Sequence, residues 1–276
     1  MTIKAPSASG HASLVRRSRR RAPYGVLSIA VLLAAWWFAT DVLRLGNSAT
    51  LSSPLEAVQV GVRLLHEPFA GATLGGHLRD SLGRWAAGIG LAIAFGVPLG
   101  LLMGWNRAVN ALVAPLFEPF RNVPPLAWIP LMIVWFGTST LSQVALVFIG
   151  AFPPCVLNAY RAIRVVDPVQ LAAASTLGAG AWTKAVEVAL PAGLPTIIAG
   201  LRIAFGNGWM ALIGAELIGA STGLGFLIIR GQENLSAAII IVGMVTIGVT
   251  GLVLDVLLSA LARRALPWRQ PMRAHD

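Results

Sequence analysis

Cysteine and lysine are almost absent from this sequence, and each shortage excludes a class of protein. Cys155 is the single cysteine, so the chain can form neither an internal disulfide nor a cysteine-ligated metal cluster. Lys4 and Lys184 are the only lysines, and neither follows a glycine, whereas the phosphate loop of nucleotide-binding enzymes requires Gly-Lys-Ser/Thr. We therefore expect a chain that is not an enzyme, holds no cofactor or metal of its own, and uses a partner for any ATP-driven work.

Charged residues are also scarce, at 12% of the chain against roughly 25% in an ordinary soluble domain. Hydrophobic residues make up 56%, and the mean hydropathy is +0.74, which indicates an integral membrane protein. A helix needs roughly 20 apolar residues to cross a bilayer. Six runs predict an all-α membrane protein with six transmembrane helices: 24–42, 82–105, 126–136, 141–160, 196–218 and 237–261. The third run, 126–136, is too short to cross the bilayer unless residues 114–125 extend it.

The formal net charge of +10 is concentrated at the two ends of the chain. Arginines cluster just before the first apolar run and just after the last, as in segments that stay in the cytoplasm. This placement predicts cytoplasmic termini and argues against nucleic-acid binding. The predicted divisions are a basic tail (1–23), a first transmembrane helix (24–43), an extracytoplasmic loop (44–81), a membrane core (82–262) that includes a broken loop at 167–195, and a second basic tail (263–276).

Two local patterns predict where helices begin and pack. In the 44–81 loop, Ser53 can cap a helix and Pro54 suits its first position, which predicts a short interfacial helix. In the second apolar run, Gly96, Gly100 and Gly104 fall four residues apart on one helical face. This spacing favours close packing against another helix.

Polar residues and prolines inside the apolar runs are candidates for a solute path. Glu216, Arg202 and Asp255 are ionisable residues that hydrocarbon disfavours unless they are paired or hydrated. Broken backbone at membrane depth is tolerated only inside protein or beside a water-filled cavity. An alternative is that Arg121 and Arg202 reach the cytoplasmic interface while Glu216 and Asp255 pair with other helices. The predicted path residues are Arg121, Asn122, Pro124, Pro125, Trp128 and Glu216.

The broken loop at 167–195 predicts a helix, a break and a second helix on the cytoplasmic side. Asp167 is a good N-cap, Pro168 suits the first helical turn, and a helix is expected over 169–177. Gly178 can adopt the left-handed conformation that ends it. A second segment, 182–190, is expected to stop at Pro191 before the fifth transmembrane helix.

This loop resembles the EAA signature of the membrane subunits of bacterial ABC importers. Gly178 and Pro191 match the signature in place, while Ala172 replaces its glutamate. The stretches "RNVPPLAWIPLMIVWFG", "NAYRAIRVVDP" and "LPAGLPTIIAGLRIAFGNGWMALIGAELIGASTGLG" look like the branch that handles nitrate, sulfonate, taurine and bicarbonate. The residues that the resemblance implies for ATPase coupling are Ala172, Ala173, Ala174, Gly178, Val188, Leu190 and Pro191.

The resemblance implies a type I ABC importer permease with a MetI-like fold and a cytoplasmic coupling helix. It implies a permease homodimer in the bacterial inner membrane, two cytosolic ATPase subunits that bind ATP and magnesium, and an extracytoplasmic substrate-binding protein. A small anion such as a sulfonate, taurine or nitrate would cross by alternating access.

Other classes of function remain open from the sequence alone. One is a secondary transporter or channel that works without ATP, and another is a structural membrane scaffold. "GASTG" at 219–223 matches the Gly-x-Ser-x-Gly pattern of hydrolases, but it follows a membrane helix and His275 is the only later histidine. A hydrolase is therefore not expected.

Overall fold

The computed structural model describes Tyr24, residues 27–43 and residues 51–265. The predicted tail 1–23 and residues 266–276 of the second tail lie outside this part of the chain, as do residues 44–50 of the predicted loop. Within the described ranges the chain is helical, apart from short connections and one isolated bridge between Phe69 and Ala72.

Four of the helices are long and apolar enough to cross a membrane: α3, α6, α8 and α10. Helix α1 and the segment Pro125–Phe136 are apolar but shorter, so each of the six predicted runs falls on an apolar helix. The bounds are α1 Leu27–Val42, α2 Pro54–His66, α3 Leu74–Trp105, α4 Arg107–Asn122, α5 Ile129–Phe136, α6 Thr140–Arg164, α7 Pro168–Thr176, α8 Ala181–Gly219, α9 Leu224–Glu233 and α10 Ala237–Ala265.

Helix α6 lies against α3 through glycines of α3. A Cβ atom added at Gly100 would collide with the Val156 carbonyl oxygen, and one at Gly104 would lie 2.8 Å from Ile163 Cβ. Gly88 and Gly96 meet α6 in the same way. The predicted packing of the Gly96–Gly100–Gly104 face is confirmed, because the missing side chains let the two backbones approach.

The other side of α6 packs against α8, again at small residues. Gly193 of α8 lies against the Ala162 backbone, and Gly200 lies against Asn158. Trp85 of α3 packs edge-on against Phe205 and Trp209 of α8, with ring centroids 5.1 and 6.5 Å apart. Helices α3, α6 and α8 therefore form one packed unit.

Helix α2 confirms the helix that was expected in the 44–81 loop. The Ser53 hydroxyl accepts a hydrogen bond from the Glu56 backbone N–H at 3.2 Å, and Pro54 is the first helical residue. Leu64 packs with Val242 of α10 in a small apolar cluster. The predicted boundary between residues 81 and 82 falls inside α3, which begins eight residues earlier because Thr73 caps it.

The expected stop at Pro191 is wrong, because α8 runs without interruption from Ala181 to Gly219. Residues Lys184–Ala189 form a π-helical turn that ends two residues before this proline. A proline lacks the backbone N–H and its ring crowds the carbonyl four residues earlier. The wider turn includes Glu187, four residues before Pro191, and so accommodates both effects at this proline. The helix also continues through Pro195.

Two glycines of α3 give a test of the close packing with α6. We expect Gly100→Ala to lower the free energy of unfolding by about 1–3 kcal/mol, because the new methyl group has no space. Gly90→Ala is the matched control, since no atom lies within 4 Å of its Cβ position and alanine favours helix. Unfolding in detergent measures both variants, and equal stabilities would contradict the packing described here.

Candidate functional site

The loop between α6 and α8 is built from strong local signals. The Asp167 carboxylate accepts a hydrogen bond from the Val169 backbone N–H at 2.8 Å and caps α7. Gly178 has a φ of +81°, which ends α7 in the left-handed region. The Ala179 N–H then donates to the Ala174 carbonyl at 3.0 Å. The helix and the break predicted in this loop are confirmed.

The surface of this loop is apolar and uncovered. No residue of α7 is buried. Leu177 is 88% exposed and Trp182 is 80% exposed, and Val169 is exposed as well. Ala172 and Ala173 are exposed, whereas Ala174, Val188 and Leu190 are half-buried and Pro191 is exposed. Apolar side chains exposed outside a bilayer are typical of a protein-binding surface.

A second feature is the break between α4 and α5. Helix α4 ends at Asn122, and a single 3₁₀ turn, Pro125–Trp128, precedes α5. Arg121 forms an ion pair with Glu118 at 2.6 Å, and the Asn122 amide donates to the Glu118 carbonyl at 2.9 Å. Both side chains are exposed, and so is Pro124.

Trp128 and Pro125 lie on the inner side of this break. Trp128 packs against Phe120, and its indole Nε1 is buried without an acceptor among the described residues. Pro125 approaches Gly150 of α6, and Leu126 contacts Gly214 of α8. The broken segment therefore rests on α6 and α8, with its polar side chains turned outward.

Glu216 faces away from this break, toward α3. Its side chain is fully buried and forms an ion pair with Arg84 at 2.9 Å. The Ser81 hydroxyl lies 2.8 and 2.9 Å from the two carboxylate oxygens, and the Gly225 N–H donates to one of them at 3.0 Å. Three of its partners are therefore brought together from α3 and α9.

Arg84 continues this network into the turn between α8 and α9. Its guanidinium donates to the Thr222 carbonyl at 2.7 Å and to the Thr222 hydroxyl at 2.6 Å. His77 accepts from the Gly223 N–H at 3.1 Å, so its Nδ1 is unprotonated and Nε2 donates to the Phe69 carbonyl at 2.9 Å. Each charge of the pair is thus surrounded by hydrogen-bond partners.

Gly223 is required by this arrangement. Its φ is +120°, and a Cβ atom there would collide with the Glu216 carboxylate. The "GASTG" stretch at 219–223 therefore forms a tight turn that packs against the Arg84–Glu216 ion pair. Arg84, Ser81 and His77 are not predicted from the sequence as members of this cluster, although Arg84 lies inside the second apolar run.

The sequence-based alternative that Glu216 and Asp255 pair with other helices agrees with these contacts. Asp255 of α10 forms an ion pair with Arg202 of α8 at 2.6 Å. A role for Glu216 in a solute path stays a prediction. No three His, Cys, Asp or Glu side chains of the described segments lie close enough to hold a metal ion.

Residues 96–267 match the family described as "Binding-protein-dependent transport system inner membrane component". The chain belongs to this family. The match begins within α3 and covers more than half of the sequence, including α7. This inner membrane component is therefore a multi-pass membrane protein.

The relatives of this inner membrane component carry the names that the sequence resemblance suggested. It is 36% identical over 250 residues to the Escherichia coli (strain K12) "Taurine transport system permease protein TauC", covering 90% of each chain. It is 32% identical over 263 residues to the Bacillus subtilis (strain 168) "Putative aliphatic sulfonates transport permease protein SsuC", covering 94% of each. The ABC importer permease assignment, in the branch of taurine, sulfonate and nitrate permeases, is confirmed.

Solved structures support the fold of the inner membrane component. A chain of "Inward facing conformations of the MetNI methionine ABC transporter: CY5 SeMet soak crystal form" superposes with a TM-score of 0.59 at 20% sequence identity. The alignment covers 72% of this chain and 96% of that chain. The predicted type I importer, MetI-like fold is confirmed.

The buried pair gives a test of the cluster at the end of α8. We expect Glu216→Gln to lower the free energy of unfolding by about 3–5 kcal/mol, because it leaves the buried Arg84 charge without its partner. Glu233→Gln is the matched control: its partner Arg230 is half-exposed, and such pairs contribute about 1 kcal/mol or less.

Unfolding of both variants in detergent provides the measurement. The double variant Arg84→Met/Glu216→Gln should recover part of the loss, because neither charge is then left alone. Equal effects of Glu216→Gln and Glu233→Gln would show that the cluster does not stabilise the fold.

Proposed function

We propose that this permease is the membrane subunit of an ATP-driven importer for a small anion such as a sulfonate, taurine or nitrate. It works by alternating access, and a separate ATPase supplies the energy. The class of solute rests on the names of the relatives, which include a taurine, an aliphatic sulfonate and a nitrate permease. The coupling mechanism rests on the surface of α7.

The uncovered apolar surface of α7 is the observation that supports ATPase coupling. Val169 and Leu177 project from the loop with little contact to the rest of the chain, and Trp182 is exposed at the start of α8. A groove on a cytosolic ATPase subunit would cover them. Because Ala172 stands where the family signature has glutamate, we propose that this contact is apolar and lacks that carboxylate.

The same loop is attached to the packed unit of the membrane domain at both ends. Helix α7 follows α6 after a three-residue link, and Gly178 turns the chain toward α8. Lys184 at the start of α8 donates to the Ser175 hydroxyl at 3.1 Å. A movement of α7 is therefore passed to α6 and α8 together.

We propose that the solute path borders the break between α4 and α5. Arg121 and Asn122 expose polar side chains there, and Pro124 lies in irregular backbone, which requires protein or water around it. Pro125 and Trp128 fix the break against the rest of the domain. Glu216 acts indirectly in this proposal, by holding the end of α8 against α3.

The proposed assembly contains two copies of the permease, two ATPase subunits that bind ATP and magnesium, and an extracytoplasmic substrate-binding protein. The arginine clusters near the two ends of the sequence support an orientation of the permease with both termini in the cytoplasm. Helix α7 then lies on the side of the ATPase subunits.

Reconstitution into liposomes separates this proposal from its alternatives. We expect anion uptake only when the ATPase subunits, ATP and the binding protein are all present. Uptake by the permease alone would identify a secondary transporter or channel. No uptake under any condition, with a correctly folded assembly, would favour a structural scaffold.

Two glycines of the coupling loop give a sharper test. We expect Gly178→Val to reduce ATP-dependent uptake at least tenfold, because a β-branched residue at a φ of +81° is strained by about 1–3 kcal/mol and changes the turn. Gly180→Val is the matched control, since its φ is −69° and no atom lies within 4 Å of its Cβ position.

The measurement is uptake into proteoliposomes that contain equal amounts of each folded permease variant. Gly180→Val should transport at close to the unmodified rate. Normal uptake by Gly178→Val would rule out the rigid turn as part of the coupling.

A further inference from the structure

A half-exposed ion pair joins α8 and α10 within the membrane-spanning part of both helices. The Arg202 Nε atom donates to Asp255 Oδ1 at 2.6 Å, and Nη2 donates to Oδ2 at 2.6 Å. The two side chains are 59% and 41% exposed. Charged side chains in a span usually face protein or water, so a pair this exposed favours polar surroundings.

The depth of the pair limits what those surroundings can be. At 1.5 Å per residue, Arg202 lies about 26 Å along α8 from its end at Gly219. Asp255 lies about 27 Å along α10 from Ala237. Taking Gly219 and Ala237 as one boundary of a hydrocarbon core about 30 Å thick puts the pair near the other boundary, on the side of α7. Lipid headgroups occupy this level.

The pair forms one end of a groove between α8 and α10. The cavity has a volume of about 70 Å³. Toward the membrane centre the groove is apolar. Trp209, which is 7% exposed, lies at the floor of the groove, and its buried indole Nε1 has no acceptor among the described residues. The lining residues are Arg202, Phe205, Gly206, Trp209, Gly251, Leu254, Asp255 and Leu258.

The ion pair leaves hydrogen-bonding capacity on both of its members. A guanidinium has five N–H donors, and Arg202 directs two of them to Asp255. The other three have no partner in the part of the chain that the structure describes. The Asp255 oxygens keep free lone pairs beside them. A plain anion would meet Arg202 and be repelled by Asp255, whereas a zwitterion satisfies both.

The groove is separate from the break between α4 and α5. Successive helical residues are about 100° apart, so Arg202, Gly206 and Trp209 share one face of α8. Gly214, which contacts Leu126 at the break, lies about 120° around the helix from Arg202. A ligand in this groove is therefore distinct from a solute in the proposed path.

We propose that the α8–α10 groove is a binding site for a phospholipid with a phosphoethanolamine headgroup. The phosphate accepts hydrogen bonds from Arg202, and the primary ammonium donates to Asp255. The acyl chains follow the apolar part of the groove toward the membrane centre, along Phe205 and Leu254. The charged end at the boundary and the apolar end inside match the polarity of such a lipid.

The test measures how lipid headgroups change the thermal stability of the delipidated, purified permease. We expect phosphatidylethanolamine to raise the Tm by several degrees more than phosphatidylcholine or phosphatidylglycerol with the same chains. Phosphatidylcholine has no ammonium N–H to donate to Asp255, and phosphatidylglycerol has no cation. Native mass spectrometry should show phosphatidylethanolamine retained at least fivefold more than either.

Two variants connect the preference to the ion pair. Arg202→Gln should abolish the preference for phosphatidylethanolamine. Asp255→Asn keeps a hydrogen bond to Arg202 but removes the negative charge, so the preference should move to phosphatidylglycerol. Arg230→Gln is the control and should leave the preference unchanged, since its partner Glu233 lies on α9.

Several results would contradict the proposal of a lipid-binding site in this groove. One is equal stabilisation by all three lipids, and another is an unchanged preference in both groove variants. An equal shift with soluble phosphoethanolamine would show a headgroup pocket and not a lipid site. Loss of the dimer in Arg202→Gln, with no change in retained lipid, would show that a second copy covers the groove.

Discussion

The close approach of α6 to both α3 and α8 is the constraint on which the rest of the fold depends. Between membrane helices there is little hydrophobic driving force, because lipid chains are as apolar as the side chains. Van der Waals packing must hold them together, and glycines on both faces of the contact allow it. Gly100 and Gly104 bring α3 to α6, and Gly193 and Gly200 bring α8 to it. The three helices then behave as one body.

This body is connected to specialised structures at its two ends. At one end, α7 links α6 to α8, and Leu177 and Trp182 are exposed in the connection between α7 and α8. At the other, Glu216 and Arg84 tie α8 to α3 and to the turn before α9. Helix α8 is thus fixed at the end remote from α7. In the proposed coupling, a force on the α7 surface would be transmitted along α8 to this fixed end.

Local features were predictable because their signals lie within a few residues of one another. Ser53 and Asp167 cap α2 and α7 as expected, and Gly178 adopts the left-handed conformation. The prediction for Pro191 was wrong because the π-helical turn Lys184–Ala189 precedes the proline and lets the helix continue past it. The partners of Glu216 were missed for a different reason. Arg84 is 132 residues away along the chain.

The sequence by itself determined the class of the protein, its apolar helices and the local chemistry of its caps, turns and small-residue faces. Those properties follow from hydropathy and from backbone preferences, which act over one or two helical turns. Only the tertiary structure decided which charges meet. Glu216 pairs with Arg84, and Arg202 pairs with Asp255, because helix packing brings these side chains together. Their separation along the chain does not predict their distance in space.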